Sequence, residues 1–258
     1  MKSRILAPAC ALLGFSVLAN AEQVGIVTSE ESLNAAYTGE AFSPYAERDF
    51  PTFPLWGETH LHTGLSMDAG LFGNRLGLEE AYRFARGEQV TASSGQPAKL
   101  ARPLDWIVIA DHSDMMGFVF DIKDGDPEVV ATEQGERWHK MMNGTPQEGV
   151  EAALDLITTF SNTRMDPKLV EAYAPGSAKY SDIWEQTIAA ADKYNAPGQF
   201  TALIGFEWTS LGRGGNMHRN VIFRDTADMV SQVAPFTQTP PFGSPNPLDL
   251  YNYLENYE

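Results

Sequence analysis

Two near-continuous apolar runs in this chain carry groups that do not belong in an apolar core. "LDWIVIADHS", residues 104–113, ends in Asp111 and His112, and "FTALIGFEWTS", residues 200–210, carries Glu207 near its end. Runs of this kind suit strands covered on both faces, as in a parallel sheet. A carboxylate in such a strand is costly unless a cation or a hydrogen-bonding partner meets it. The fold must therefore bury these strands and also bring partners to their ends.

Two further segments read as buried strands: "FPLWGETHLH", closing on His60 and His62, and "HRNVIFR", opening on His218. Helical patterns lie between them. "LGLEEAYRFARG" sets Leu78, Ala81, Tyr82 and Ala85 on one face and stops at Gly87. "DIWEQTIAAADKYN" offers Asp182 as N-cap, with Glu185 three residues on and Trp184, Ile188 and Ala191 in one stripe. Strands alternating with helices predict an α/β fold with parallel strands. The long stretch between Ser113 and Phe200 holds several helix starts, at Asp126-Pro127, in "QEGVEAALDLITTF" and at Asp166-Pro167. It reads as a helical insertion within 114–199, either a cap beside the site or helices packed on the outside. A last helix is expected from Asn246-Pro247, and the chain reads as the front portion of a longer protein.

The N-terminus carries Lys2 and Arg4, a short apolar run and "ANA" at residues 19–21. This is the pattern of a cleaved secretory leader, residues 1–21, and not of a membrane anchor. The expected location is periplasmic or secreted. Residues 22–52, rich in turn formers, read as an irregular arm, and 53–258 as the functional domain. The single cysteine, Cys10, lies inside the leader, so disulfides and thiolate metal sites are excluded from the mature chain. The formal net charge is −16, which repels phosphate backbones and excludes nucleic acid as a partner. An anionic substrate would need a local positive centre, which a bound metal supplies.

Four of the five histidines fall at strand ends: His60, His62, His112 and His218. Residues two apart on a strand face the same side, so His60 and His62 can share one ion. In α/β sheets sites gather at the C-terminal ends of strands. With Glu207, Asp111 and Asp68 these histidines make a nitrogen and oxygen ligand set, compatible with Zn, Mn or Fe. Arg213, in the glycine-rich loop before His218, and Arg75, in "FGNRLG", are candidates for contacting an anionic substrate. His139, in "ERWHKMM", reads as a packing or surface residue. Ser66 fails the nucleophile-elbow pattern and reads as a hydrogen-bonding neighbour of the metal loop.

"H-x-H-T-x-x-S-x-D" at residues 60–68, followed by "ADH" at the end of an apolar strand, resembles the first two motifs of the polymerase and histidinol phosphatase (PHP) family. The wording "LWGETHLHTGLSMDAG", "ADHSD", "GFEWTS" and "GNMHRN" is most similar to an exported branch of it known as a domain of unknown function. The resemblance covers roughly residues 53–224. It implies a distorted seven-stranded (β/α) barrel and a cluster of two or three divalent ions. His60 and His62 would hold one ion, Glu207 would bridge to a second held by His218, and His112 with Asp68 would serve a third. Asp111 would orient a ligand. The family's late histidine and C-terminal Asp-x-His have no counterpart, because no histidine follows His218. The barrel and cluster are thus expected to be incomplete in this chain. The expected function is phosphoester hydrolysis by metal-activated water, with Glu207 and Asp111 as catalytic groups and a small anionic substrate. The alternatives are a metal-dependent amide or ester hydrolase, and a non-catalytic periplasmic metal or phosphate binder.

Overall fold

A computed structural model of the chain describes residues 53–212 and 215–257. The expected leader, the N-terminal arm and Arg213 lie outside the described residues. Five strands surround the candidate ligands: β1 (Gly57–Leu61), β4 (Trp106–Ile109), β5 (Thr201–Leu203), β6 (Gly205–Ser210) and β7 (Met217–Ile222). A separate short hairpin pairs β2 (Val90–Thr91) with β3 (Pro97–Ala98). Ten helices lie among the described residues: α1 (Met67–Leu71), α2 (Leu78–Ala85), α3 (Phe118–Asp124), α4 (Pro127–Val130), α5 (Glu133–Met142), α6 (Pro146–Ser161), α7 (Pro167–Ala172), α8 (Ala178–Tyr194), α9 (Ala227–Val230) and α10 (Pro247–Tyr257).

The chain is a mixed α/β fold, and its described strands form three small sheets without closing a barrel. β1, β4 and β5 pair in parallel with β4 in the centre. The run 200–210 is not one strand. It divides at Ile204 into β5, parallel to β4, and β6, antiparallel to β7. Gly205 permits the crossing, because a Cβ there would lie 2.6 Å from Val108 Cγ1 and 2.7 Å from the Val221 carbonyl. β7 therefore runs antiparallel to its neighbour, against the all-parallel expectation. β1 is also not buried. As the sheet edge it leaves Glu58, Thr59 and His60 exposed. The register with β4 shifts between Glu58 and Leu61, and the Glu58 carboxylate accepts the amides of Thr59 and His60 at 2.9 Å each. Irregularities of this type re-aim side chains at sites.

One apolar core joins α2 (Tyr82, Ala85), α8 (Trp184, Ile188, Ala191) and the sheet residues Ile107, Ile109, Phe206 and Trp208. The expected stripes on α2 and α8 are thus the buried ones. α8 starts earlier than expected, however. Ser177 caps it by accepting from the Tyr180 amide, and Asp182 lies inside the helix, bonded to Gln186. A second core lies within the helical stretch, around Phe118, Trp138, Leu156 and Tyr173. Its helices begin where Asx and Pro predict: Asp126 caps α4 and Asp166 caps α7, each with Pro at the first helical position. Met67 and Leu71 of α1 pack against this second core, so the helical stretch lies beside the short helix that carries Asp68. His139 packs there as well, its Nδ1 lying 2.7 Å from the Ile122 carbonyl oxygen. No helix among the described residues is long and apolar enough to cross a membrane.

Candidate metal centre

Glu207 forms the floor of the site. It is fully buried, and β6 around it is buried throughout. An isolated parallel bridge pairs Glu207 with His112 and continues β4 onto β6. The Glu207 amide donates to the Asp111 carbonyl at 2.9 Å, and the Ser113 amide donates to the Glu207 carbonyl at 2.8 Å. That bridge sets His112 beside the carboxylate, with Nδ1 3.1 Å from Oε2. β1 delivers His60 Nε2 to 3.0 Å from Oε1 and His62 Nε2 to 3.0 Å from Oε2. β7 delivers His218 Nδ1 to 2.8 Å from Oε1.

Four imidazoles thus converge on one carboxylate, yet both Glu207 oxygens and His62 Nε2 are buried without an aligned hydrogen-bond partner among the described residues. Unpaired buried acceptors of this kind cost about 1–3 kcal/mol each. Imidazole nitrogens and carboxylate oxygens gathered around a common space fit a cation there. The potential ligand atoms fall into three groups within 4.8 Å: His60, His62 and Glu207; His62, Asp68 and His112; His112, Glu207 and His218. Glu207 belongs to two of them. The donor set of imidazole and carboxylate suits Zn, Mn or Fe.

Asp68, on α1, lies 2.9 and 3.0 Å from His62 Nδ1 and 3.6 Å from His112 Nε2. Burial opposes ionisation of Asp68, but the nearby His112 ring and hydrogen bonds with His62 and Ser66 outweigh it and hold the carboxyl well below the usual range. Burial likewise opposes a charge on His62, but the hydrogen bond to Asp68 and the Glu207 carboxylate 3.0 Å away raise the ring from 6.5 to about 10. Without a metal, His62 and Asp68 form an ion pair. Asp111 stands behind the ligands. Its carboxylate accepts from Thr63 amide at 2.5 Å and Thr63 hydroxyl at 2.7 Å, tying the end of β1 to the end of β4. Burial pushes the Asp111 carboxyl up to about 6, against the hydrogen bonds from Thr63.

The structure brings His60, His62, Asp68, His112, Glu207 and His218 together and sets Asp111 behind them. Arg75 is turned elsewhere: its guanidinium donates to the carbonyls of Gly70 and Asn74 at 2.6 and 2.7 Å. Thr209 is a residue that sequence reasoning missed. Its hydroxyl lies 2.8 Å from His112 Nδ1 and 3.2 Å from His218 Nδ1. It follows Glu207 by two positions on β6, and that period-two spacing would have placed it on the same face. Ser66 plays a matching part, donating to Asp68 at 2.7 Å and accepting from the His112 amide at 3.1 Å.

Residues 49–258 match the family model described as "Protein of unknown function (DUF3604)". The chain belongs to this family. The DUF3604 match spans every ligand of the cluster and all the described residues. Among curated proteins and among solved structures there is no match.

Proposed function

We propose that this DUF3604 chain is an exported, metal-dependent hydrolase whose substrates are phosphoesters. The observation that carries the reading is the buried Glu207 carboxylate, ringed by four histidines and left without hydrogen-bond partners. The resemblance of the His60–Asp68 and Asp111–His112 motifs to the PHP family supports the same reading. It rests on the ligand cluster and not on the fold, because the described strands do not close a barrel.

Bound divalent ions supply an activated water and positive charge for an anionic substrate. Glu207 anchors the floor of the site from a rigid strand. Thr209 holds the rings of His112 and His218 through Nδ1, the same nitrogen each turns towards Glu207, and Ser66 meets His62 at Nδ1 while its Nε2 faces Glu207. Asp111, through Thr63, holds the turn after His62 in place. The His60 side chain is 48% exposed and that of Asp68 44%, so the site opens on this rim and a substrate can reach it. The net charge of −16 makes the cluster the attractive place for an anion on an otherwise repellent surface.

The test is metal content by mass spectrometry on the purified protein, followed by chelation and reconstitution with Zn, Mn or Fe. Phosphomonoesters and phosphodiesters are assayed against amides and carboxylic esters. The reading expects bound metal and phosphoester turnover that is lost and restored with it. Bound metal with turnover of amides or carboxylic esters alone overturns the substrate assignment. Absence of metal at saturating concentrations overturns the mechanism.

A further inference from the structure

A cavity of about 700 Å³ opens between the helical stretch and the segment that follows β6. Its walls include Phe160, Val170, Leu211, Pro240, Pro241 and Phe242. Glu171, at an exposed position, is the only charged side chain among the described lining residues. The volume falls in the range of small-molecule sites, and the rings of proline and phenylalanine make rigid apolar walls. With a carboxylate as the only charge among the described lining residues, these walls suit an apolar group better than a phosphate.

Three links join these walls to the metal centre. Leu211 follows Thr209 by two residues, about 7 Å along an extended chain, and Thr209 touches His112 and His218. The Ser210 hydroxyl donates to the Pro245 carbonyl at 2.6 Å. Asp114, two residues beyond His112, accepts from the Gln238 amide at 3.0 Å and the Thr239 hydroxyl at 2.6 Å. Gln238 in turn accepts from the Leu211 amide through Oε1, and its buried Nε2 has no partner among the described residues.

Building on the hydrolase reading, we infer that this cavity is a substrate subsite that takes the apolar aryl or alkyl group of an ester whose anionic head sits on the metal cluster. The preferred substrates are then esters of apolar alcohols or phenols, and short polar esters are poor. The unpaired Gln238 donor suits an acceptor oxygen on that group.

The experiment uses the metal-loaded full chain, with Val170→Trp to fill the cavity and Phe242→Glu to place a charge at its exposed wall. Neither residue contacts the cluster. Binding is read with N-phenyl-1-naphthylamine, an uncharged probe that fluoresces in apolar surroundings. Turnover is read as kcat/KM for 4-biphenylyl phosphate and for methyl phosphate, and comparing each variant with wild type cancels the difference in leaving-group reactivity. The inference expects both variants to weaken probe binding, and to lower kcat/KM for the biphenylyl ester at least about tenfold. Methyl phosphate turnover and metal content should stay unchanged. Equal losses on both esters, or probe binding indifferent to both variants, would overturn the subsite. If the probe binds in the cavity but no ester of any kind is turned over, the hydrolase reading fails and the cavity stands as a separate apolar site.

Discussion

Glu207 and His112 face each other across a single parallel bridge where β4 runs onto β6, and the imidazole Nδ1 stands 3.1 Å from the carboxylate. The main chain thereby sets the distance between a buried anion and its partner before any metal arrives. A rigid backbone at the floor and exposed side chains at the rim make a cluster that is preorganised where charge is held and open to solvent at His60 and Asp68.

Replacing Glu207 by Gln keeps the shape and removes the charge at the floor of two ligand groups. Metal content should fall by at least one ion per chain, and any metal-dependent turnover by more than about 100-fold, beyond the loss typical of an outer-shell partner. Mass spectrometry of the metal-loaded variant checks this. Wild-type metal content in Glu207→Gln would place the ions elsewhere.

Thr209→Val removes a hydroxyl shared by His112 and His218 and keeps the strand. Metal affinity should weaken about 10–100-fold, as for other outer-shell partners, and Thr209→Ser should restore most of it. Competition with a chromogenic chelator measures the affinity. A variant that binds as tightly as wild type would show that the hydroxyl is only a packing group.

His62 carries a folded-state value near 10, above its ordinary 6.5, in the metal-free protein. A raised value stabilises fully below about 6.5, and that contribution is lost as the pH climbs towards 10. Metal binding needs the neutral ring, so affinity should rise across the same window. Thermal melts of chelated protein should therefore fall from pH 7 to pH 10, while the gain on adding metal grows. The same pH slope with and without metal would mean that His62 does not exchange its proton for the ion.

Gly135 sits where α5 passes the end of α4, and a Cβ there would lie 2.1 Å from the Val129 carbonyl oxygen. Backbone cannot give way as a flexible side chain would. Gly135→Ala should destabilise the helical stretch by about 1–3 kcal/mol and leave metal content unchanged, since its core is distinct from the one beneath the sheet. Denaturant melts together with metal analysis check both parts.

Much of the local structure was legible from residue order. Asp126, Asp166 and Asn246, each followed by Pro, announced the starts of three helices, because an Asx cap and a fixed φ act within one turn. The α8 cap was misread at Asp182 because Ser177 also satisfies the local rule, and packing of Tyr180 into the core favours the longer helix. The break at Ile204, the antiparallel course of β7 and the exposed edge at β1 were not legible. An apolar run looks the same whether it is one strand or two, and its partners are chosen elsewhere in the chain.

The sequence by itself determined the imidazole and carboxylate groups on offer and the pairing of His60 with His62, since these follow from residue type and a two-residue period. It also marked Glu207 as a carboxylate that needs a partner, because its strand is apolar. Tertiary structure alone decided that His60, His62, His112 and His218 all meet that carboxylate, that Thr209 touches two of them, and that Leu211, just beyond β6, lines an apolar cavity. Those relationships depend on the register between β4 and β6 and on how the helices pack, which are long-range choices set by the whole core and not by any local stretch.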